Sequence, residues 1–112
     1  MDIRYQIRKG STTLLILALL SEEPMYGYQI SQELERRSGG YFEMKEGLLY
    51  PLLHRMKREG LVSSEWQEAA GERRRKYYTI TADGKEALQE QAQEWETFMN
   101  KLQGVLAGVG AQ

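Results

Sequence analysis

Arg73, Arg74, Arg75 and Lys76 stand in succession and form the densest charge in the chain. Four cations in a row suit a polyanion, because phosphate responds to local charge and not to a protein's net charge. Taken alone, the run also fits a solvated hairpin shoulder. Tyr50, His54, Arg55, Lys57 and Arg58 form a second group, offering hydroxyl, imidazole and cationic donors within nine residues. Bond-breaking chemistry finds little here. Without cysteine the chain has no thiol nucleophile, disulfide or thiolate zinc site. The one histidine, His54, cannot build a histidine metal centre, and it reads as a phosphate contact or an idle surface residue. No carboxylate pair converges, and Gly108-Val109-Gly110 is tail and not a phosphate-cradling loop. The expectation is a binding protein, with no cofactor and no metal, and not an enzyme.

These groups must be positioned by a small body. The 112 residues fit one domain, and 28% charged with 41% hydrophobic residues is an ordinary globular composition. The net charge of −1 divides unevenly: cations are in excess up to residue 81 and carboxylates beyond it. The apolar run Leu14–Leu20 is far shorter than the roughly 20 residues of a membrane span. Met1-Asp2-Ile3-Arg4 lacks the layout of a signal peptide. A cytoplasmic protein with no membrane partner is expected.

Ser11 or Thr12 caps a helix that is apolar on nearly every side and belongs at the centre of the domain. Residues 1–9 extend this helix or pack on a partner. Pro24 opens a second helical segment, Met25 to Ser38, stopped by Gly39-Gly40. Gly27 near its start costs roughly 1 kcal/mol against alanine, which a close backbone approach to a helix or a phosphate would explain. A third helix spans Glu46 to Glu59. Leu49, Leu52, Leu53 and Met56 form its apolar stripe, and Gly47, Tyr50, Pro51, His54 and Arg58 point the other way. Leu61 to Trp66 and Lys76 to Thr81 read as the strands of a hairpin with a basic tip and far shoulder.

Thr81 or Asp83 caps a last helix of roughly 25 residues, about 38 Å long. Leu88, Trp95, Leu102 and Val109 share one heptad position; Phe98 and Val105 share the next, and Ala92, Met99 and Leu106 flank them. A stripe of that length outruns a core of about 80 residues and calls for a second chain. Three helices, a hairpin and a long helix make a mainly α protein with a small β-hairpin: a winged helix-turn-helix over residues 1–81 and a dimerisation helix over 82–112. In that architecture the third helix enters the major groove and the wing follows the backbone or minor groove.

The residues also carry a resemblance. Tyr26-Gly27-Tyr28-Gln29-Ile30, the run Gly47 through Met56, Gly60-Leu61-Val62 and the run Arg73 through Gly84 resemble the PadR family of transcriptional regulators in order and spacing. Each motif is weak alone, and the four in order are specific. The resemblance implies a homodimeric repressor of the short branch, with phenolic acids and drugs among the inducers of relatives. It implies a recognition helix over Glu46 to Glu59, with Tyr50, Arg73 and Arg74 foremost among the DNA contacts. Leu48 departs from the small or hydroxyl residue common in relatives; it either reads a thymine methyl or packs inward.

The expected partner is a dyad-symmetric DNA duplex met by Tyr26, Lys45, Gly47, Leu48, Tyr50, His54, Arg55, Arg58, Arg73, Arg74, Arg75 and Lys76. The expected dimer interface is Leu88, Ala92, Trp95, Phe98, Met99, Leu102, Val105 and Leu106. Trp95 is a plain interface anchor or, with its two-fold mate, one wall of a sandwich for a small aromatic effector lined by Phe98 and Met99. A winged-helix module for protein partners is the alternative, favoured slightly by the acidic balance and opposed by the clustered arginines.

Overall fold

The computed structural model describes residues 3–68 and 73–109. The turn centred on Ala69-Ala70-Gly71, read as the hairpin tip, lies outside the described residues. The order of elements is α1 (Ile3–Lys9), α2 (Thr12–Leu20), β1 (Met25–Tyr26), α3 (Gly27–Arg37), α4 (Glu46–Arg58), β2 (Val62–Glu68), β3 (Arg74–Ile80) and α5 (Ala82–Leu106). This is the mainly helical, winged arrangement with a long final helix that the sequence pattern predicts.

Ile16, Leu17, Leu19 and Leu20 of α2 are all buried, as a helix apolar all round requires. Ile30 and Leu34 of α3, Leu49, Leu53 and Met56 of α4, and Val62, Tyr78 and Ile80 of the sheet close around it. Fully buried side chains of this size each contribute about 1.5–3 kcal/mol by leaving water. The core of the described residues contains no polar or charged side chain.

Four boundaries differ from the sequence reading. Residues 3–9 form their own short helix and do not extend α2, because the chain turns at Gly10-Ser11. Ser11 sits at the N-cap of α2, yet its hydroxyl donates to the Arg8 carbonyl and makes no cap bond. Met25 and Tyr26 are not helical. They form β1, which pairs antiparallel with β3, Met25 opposite Tyr78, to give the sheet order β1-β3-β2. The hairpin strands reach two residues further towards the tip than expected, so Arg74 to Lys76 lie within β3.

Between α3 and α4 the chain is held by side chains. Ser38 Oγ donates to the Leu34 carbonyl and accepts from Phe42 N–H at 2.8 Å, while Ser31 Oγ donates to the Met44 carbonyl at 2.8 Å. On the opposite side Arg37 joins two elements, bonding Glu22 beyond α2 and Glu33 within α3.

Another junction fixes α5. The chain leaves α4 through Gly60, whose φ of 79° is left-handed and suits glycine. Thr81 Oγ1 donates to the Gly60 carbonyl at 2.6 Å and accepts from Gly84 N–H at 3.0 Å, which caps α5. Thr81 N–H donates to the Leu61 carbonyl at 3.1 Å. Gly84 is buried against the same Leu61 carbonyl, so closely that a Cβ built there would overlap it. From this corner α5 runs outward and makes the molecule 59 Å long against 27 and 24 Å in its other directions.

Two expectations follow. Gly84→Ala forces backbone apart and should cost about 2–3 kcal/mol in denaturant unfolding, the range of an overpacked site; an unchanged midpoint would show that the corner yields. Glu33 is held to about 2, against an ordinary 4.5, by hydrogen bonds from Arg36 first and Arg37 second. Arg37 likewise lowers Glu22. Both groups hold protons less tightly when folded, so their stabilisation is present above pH 4.5 and fades as pH falls towards 2. Melting temperatures measured across that window should fall, and fall less steeply in Arg37→Met. The effect is small because the pairs face solvent.

Candidate nucleic-acid interface

α4 turns three sides to three environments. Leu49, Leu53 and Met56 enter the core. Gly47, Pro51, His54 and Arg58 lie exposed along one outer line, as the helical wheel requires. Lys45, exposed, is the extended N-cap residue just before this line. On one flank Tyr50 and Glu46 face the hairpin, and on the other Leu48, Leu52 and Arg55 face α1 and α2.

The hairpin flank is a groove of about 590 Å³ between the start of α3, α4 and the wing. Tyr26, Tyr50, His54 and all four cations, Arg73 to Lys76, line it. Residues as much as 50 positions apart in the chain thus line one concave surface, in which, among the described residues, Glu46 supplies the carboxylate.

The wing places its cations by strand alternation. On one face Val62, Tyr78 and Ile80 are buried near the body. Towards the tip that face continues as Trp66, Lys76 and Arg74. Trp66 stands opposite Lys76 in the register, with Arg74 5.5 Å and Lys76 5.9 Å from its ring centre. Arg75, on the other face, lies 4.5 Å over the ring of Tyr26, which meets Tyr77 edge-on at 5.5 Å. Such cation–π contacts hold guanidinium groups in place without neutralising them. Trp66 is 56% exposed in the groove and was not among the residues expected there. Its place opposite Lys76 was the available signal, and it needed the correct hairpin register.

Tyr50 is not simply outward. Its ring is half-buried over Gly27, where a Cβ would come within 2.8 Å of Cζ. Glycine at residue 27 is therefore explained by the approach of a side chain from α4. Burial, with the Glu46 charge second, pushes the Tyr50 hydroxyl above its ordinary value. The group stays protonated at neutral pH and remains a hydrogen-bond donor.

Leu48 does not pack inward; it is 58% exposed. Arg55 turns from the outer line and donates to Thr13 Oγ1 of α2 at 3.3 Å.

The heptad stripe of α5 is divided. Leu88 is half-buried against the core beside Ala87, because the first turns of α5 lie on their own body. Trp95 is also half-buried, its ring against Gly10 where α1 turns into α2, and it meets Phe98 edge-on at 5.6 Å. Ala92 is exposed. From Phe98 onward the stripe is uncovered, through Met99, Leu102, Val105 and Leu106. Ile3 and Ile7 of α1 are uncovered too. No described helix is long and apolar enough to cross a membrane.

Residues 16–90 match the model of the transcriptional regulator PadR-like family. A PadR-like transcriptional regulator from Bacillus cereus is 36% identical, with a TM-score of 0.81, covering 90% of this chain and 96% of that one. A PadR-family transcriptional regulator from Eggerthella lenta is 32% identical, with a TM-score of 0.80, covering 90% and 86%. A transcriptional regulator of Mycobacterium tuberculosis is 30% identical over 88% of this chain and 89% of its own length.

The seat of Tyr50 is testable. Gly27→Ala should expel the ring, so that the phenol titrates closer to its ordinary 10.0 in a spectroscopic pH titration. Stability should change little, because alanine favours the helix by about 1 kcal/mol. An unmoved Tyr50 titration would mean the ring is not seated on Gly27.

Proposed function

The chain belongs to the PadR-like family of transcriptional regulators, and from that premise we propose a homodimeric repressor that reads a dyad-symmetric operator and is released by a small planar aromatic ligand. Family membership makes it a regulator that binds DNA and sets it apart from enzymes. The observation that carries the finer reading is the shared groove, which Tyr50 and His54 of α4 line together with the cations of the wing.

In this reading α4 enters the major groove. Gly47 and Pro51 let its backbone approach, and Tyr50, His54 and Arg58 reach phosphate or base edges. Arg73 to Lys76 meet the adjacent backbone and supply the salt-dependent share of affinity. Trp66 joins them as a flat apolar surface at the wing. Residues 1–81 act as the reading head and 82–112 as the dimerisation helix. The uncovered stripe from Phe98 to Leu106 takes the second chain and fixes the two heads about one helical turn of DNA apart, roughly 34 Å. The effector site lies where the two-fold brings Trp95, Phe98 and Met99 near their mates. A ligand there changes how the long helices cross. The fused corner at Thr81 passes that change to α4. A cytoplasmic location fits such a role.

The test is selection of bound sites from random duplexes at two salt concentrations, with the wild type and with Arg73→Ala/Arg74→Ala. The expected result is a dyad-symmetric site. The double variant should bind it at least tenfold more weakly, and its log affinity should fall less steeply with log salt, by about two in slope. An adjoining titration with planar cationic dyes, on a Trp66→Phe background, should show dye and operator weakening each other by one common factor. A selected site without symmetry would overturn the dimeric reader. Absence of any enrichment, with interactions indifferent to the wing arginines, would favour a protein-binding module.

A further inference from the structure

The flank of α4 turned away from the wing carries a second, larger cavity of about 840 Å³. Its volume lies in the range of small-molecule sites, about 300–1,000 Å³. Two features mark its chemistry. The walls are largely aliphatic: Leu15 of α2, Met44 of the linker, and Leu48, Pro51 and Leu52 of α4, with Phe42 the one aromatic ring among the described residues. Among the described lining residues cations outnumber carboxylates: Arg55 and Arg58 come from α4, and Arg8 and Lys9, which have contacts of their own, from α1, against Glu43. Arg55 is placed by the Thr13 hydroxyl, a neutral group that leaves its charge in force. Arg8 ties α1 to the linker by bonding the Tyr41 carbonyl at 2.9 Å and lying 5.6 Å over the Tyr41 ring.

We propose that this cavity binds an amphipathic monoanion of the acyl-chain type, its carboxylate held by Arg55 and Arg58 and its chain lying along Leu48, Pro51, Leu52 and Leu15. The aliphatic walls favour a flexible chain over a planar ring: among the described residues no two aromatic faces stand across the cavity. The pair Arg55 and Arg58 selects an anion. The cavity is separate from the groove facing the wing: the two share no lining residue. It is formed by α1, α2, the end of α3, α4 and the linker, and Trp95 is not among its lining residues.

One consequence rests on the function proposed above. Arg58 is among the groups offered to DNA and Arg55 lies on the same helix, so a carboxylate that engages them withdraws cationic charge from that helix. Ligand and duplex would then compete directly.

The test is calorimetric titration of the full-length protein with decanoate below its micelle concentration. The expected result is saturable binding of one decanoate per chain, with methyl decanoate and acetate at least tenfold weaker. Arg55→Gln/Arg58→Gln should weaken decanoate binding at least tenfold. Leu48→Glu, which sets a carboxylate on an exposed rim position, should do the same without loss of the folded melting transition. Binding that is absent, that is equal for the uncharged ester, or that ignores both variants overturns the proposal. So does a finding that a second copy of the chain fills the cavity and decanoate binds only on dissociation. If decanoate binds as expected yet leaves duplex affinity unchanged, the site stands and the competition is overturned. The calorimetric readout contains no DNA, so failure of the DNA reading does not touch it.

Discussion

Everything about the use of this protein depends on the contact between Gly84 and the Leu61 carbonyl. The chain leaves α4, turns at Gly60, builds the wing, and returns to start α5 on that same turn. Thr81 binds Gly60 with its hydroxyl and Leu61 with its amide, and caps α5 with the same oxygen. The absence of a side chain at Gly84 lets the first turn of α5 lie directly on backbone. A backbone contact of this kind cannot relax through rotamers. The end of α4, the base of the wing and the origin of α5 therefore share one frame, and the direction of α5 is set by the orientation of α4.

That shared frame makes sense of how α4 is divided. A helix of 13 residues serves a core, a cationic groove and an aliphatic cavity at once. It does so because its buried positions, Leu49, Leu53 and Met56, keep to one narrow stripe, which leaves the remaining circumference to function. Tyr50 sits at the border of two of these sides. Seated on Gly27 and raised in pKa by burial, it is a donor whose direction is decided by packing against α3. Arg55 is at the border of the other two, directed by Thr13.

Helix positions and the long α5 were legible because each rests on a local period: the stripe Leu49, Leu52, Leu53, Met56 and the glycine stops are written in consecutive turns. The wing's charge was legible as a run. What escaped depends on partners distant in the chain. Met25 and Tyr26 look like the opening of an amphipathic helix, and only pairing with Tyr78 and Tyr77 makes them a strand. Trp66 enters the groove because the hairpin register sets it against Lys76. Leu88 obeys the heptad spacing perfectly, yet the heptad does not say where the body of the protein ends along the helix. Gly27 was recognised as a close approach, but the identity of the approaching group, the Tyr50 ring, lay 23 positions away.

The length of α5 has a mechanical meaning. Twenty-five residues make a helix of about 38 Å that starts at the Thr81 clamp; up to Trp95 it lies on its own body, and from Phe98 it projects as an arm. A change of about 5° in its direction at the clamp sweeps the far end through about 3 Å. In the reverse direction the arm is a reduction gear: repacking at Phe98 to Leu106 by the width of a methyl group arrives at α4 as a rotation of only a few degrees. Sequence change is therefore buffered along the outer arm and amplified at the clamp. The tip can be remodelled to suit a new partner surface in small steps, while a single methyl at Gly84 alters the aim of the whole molecule.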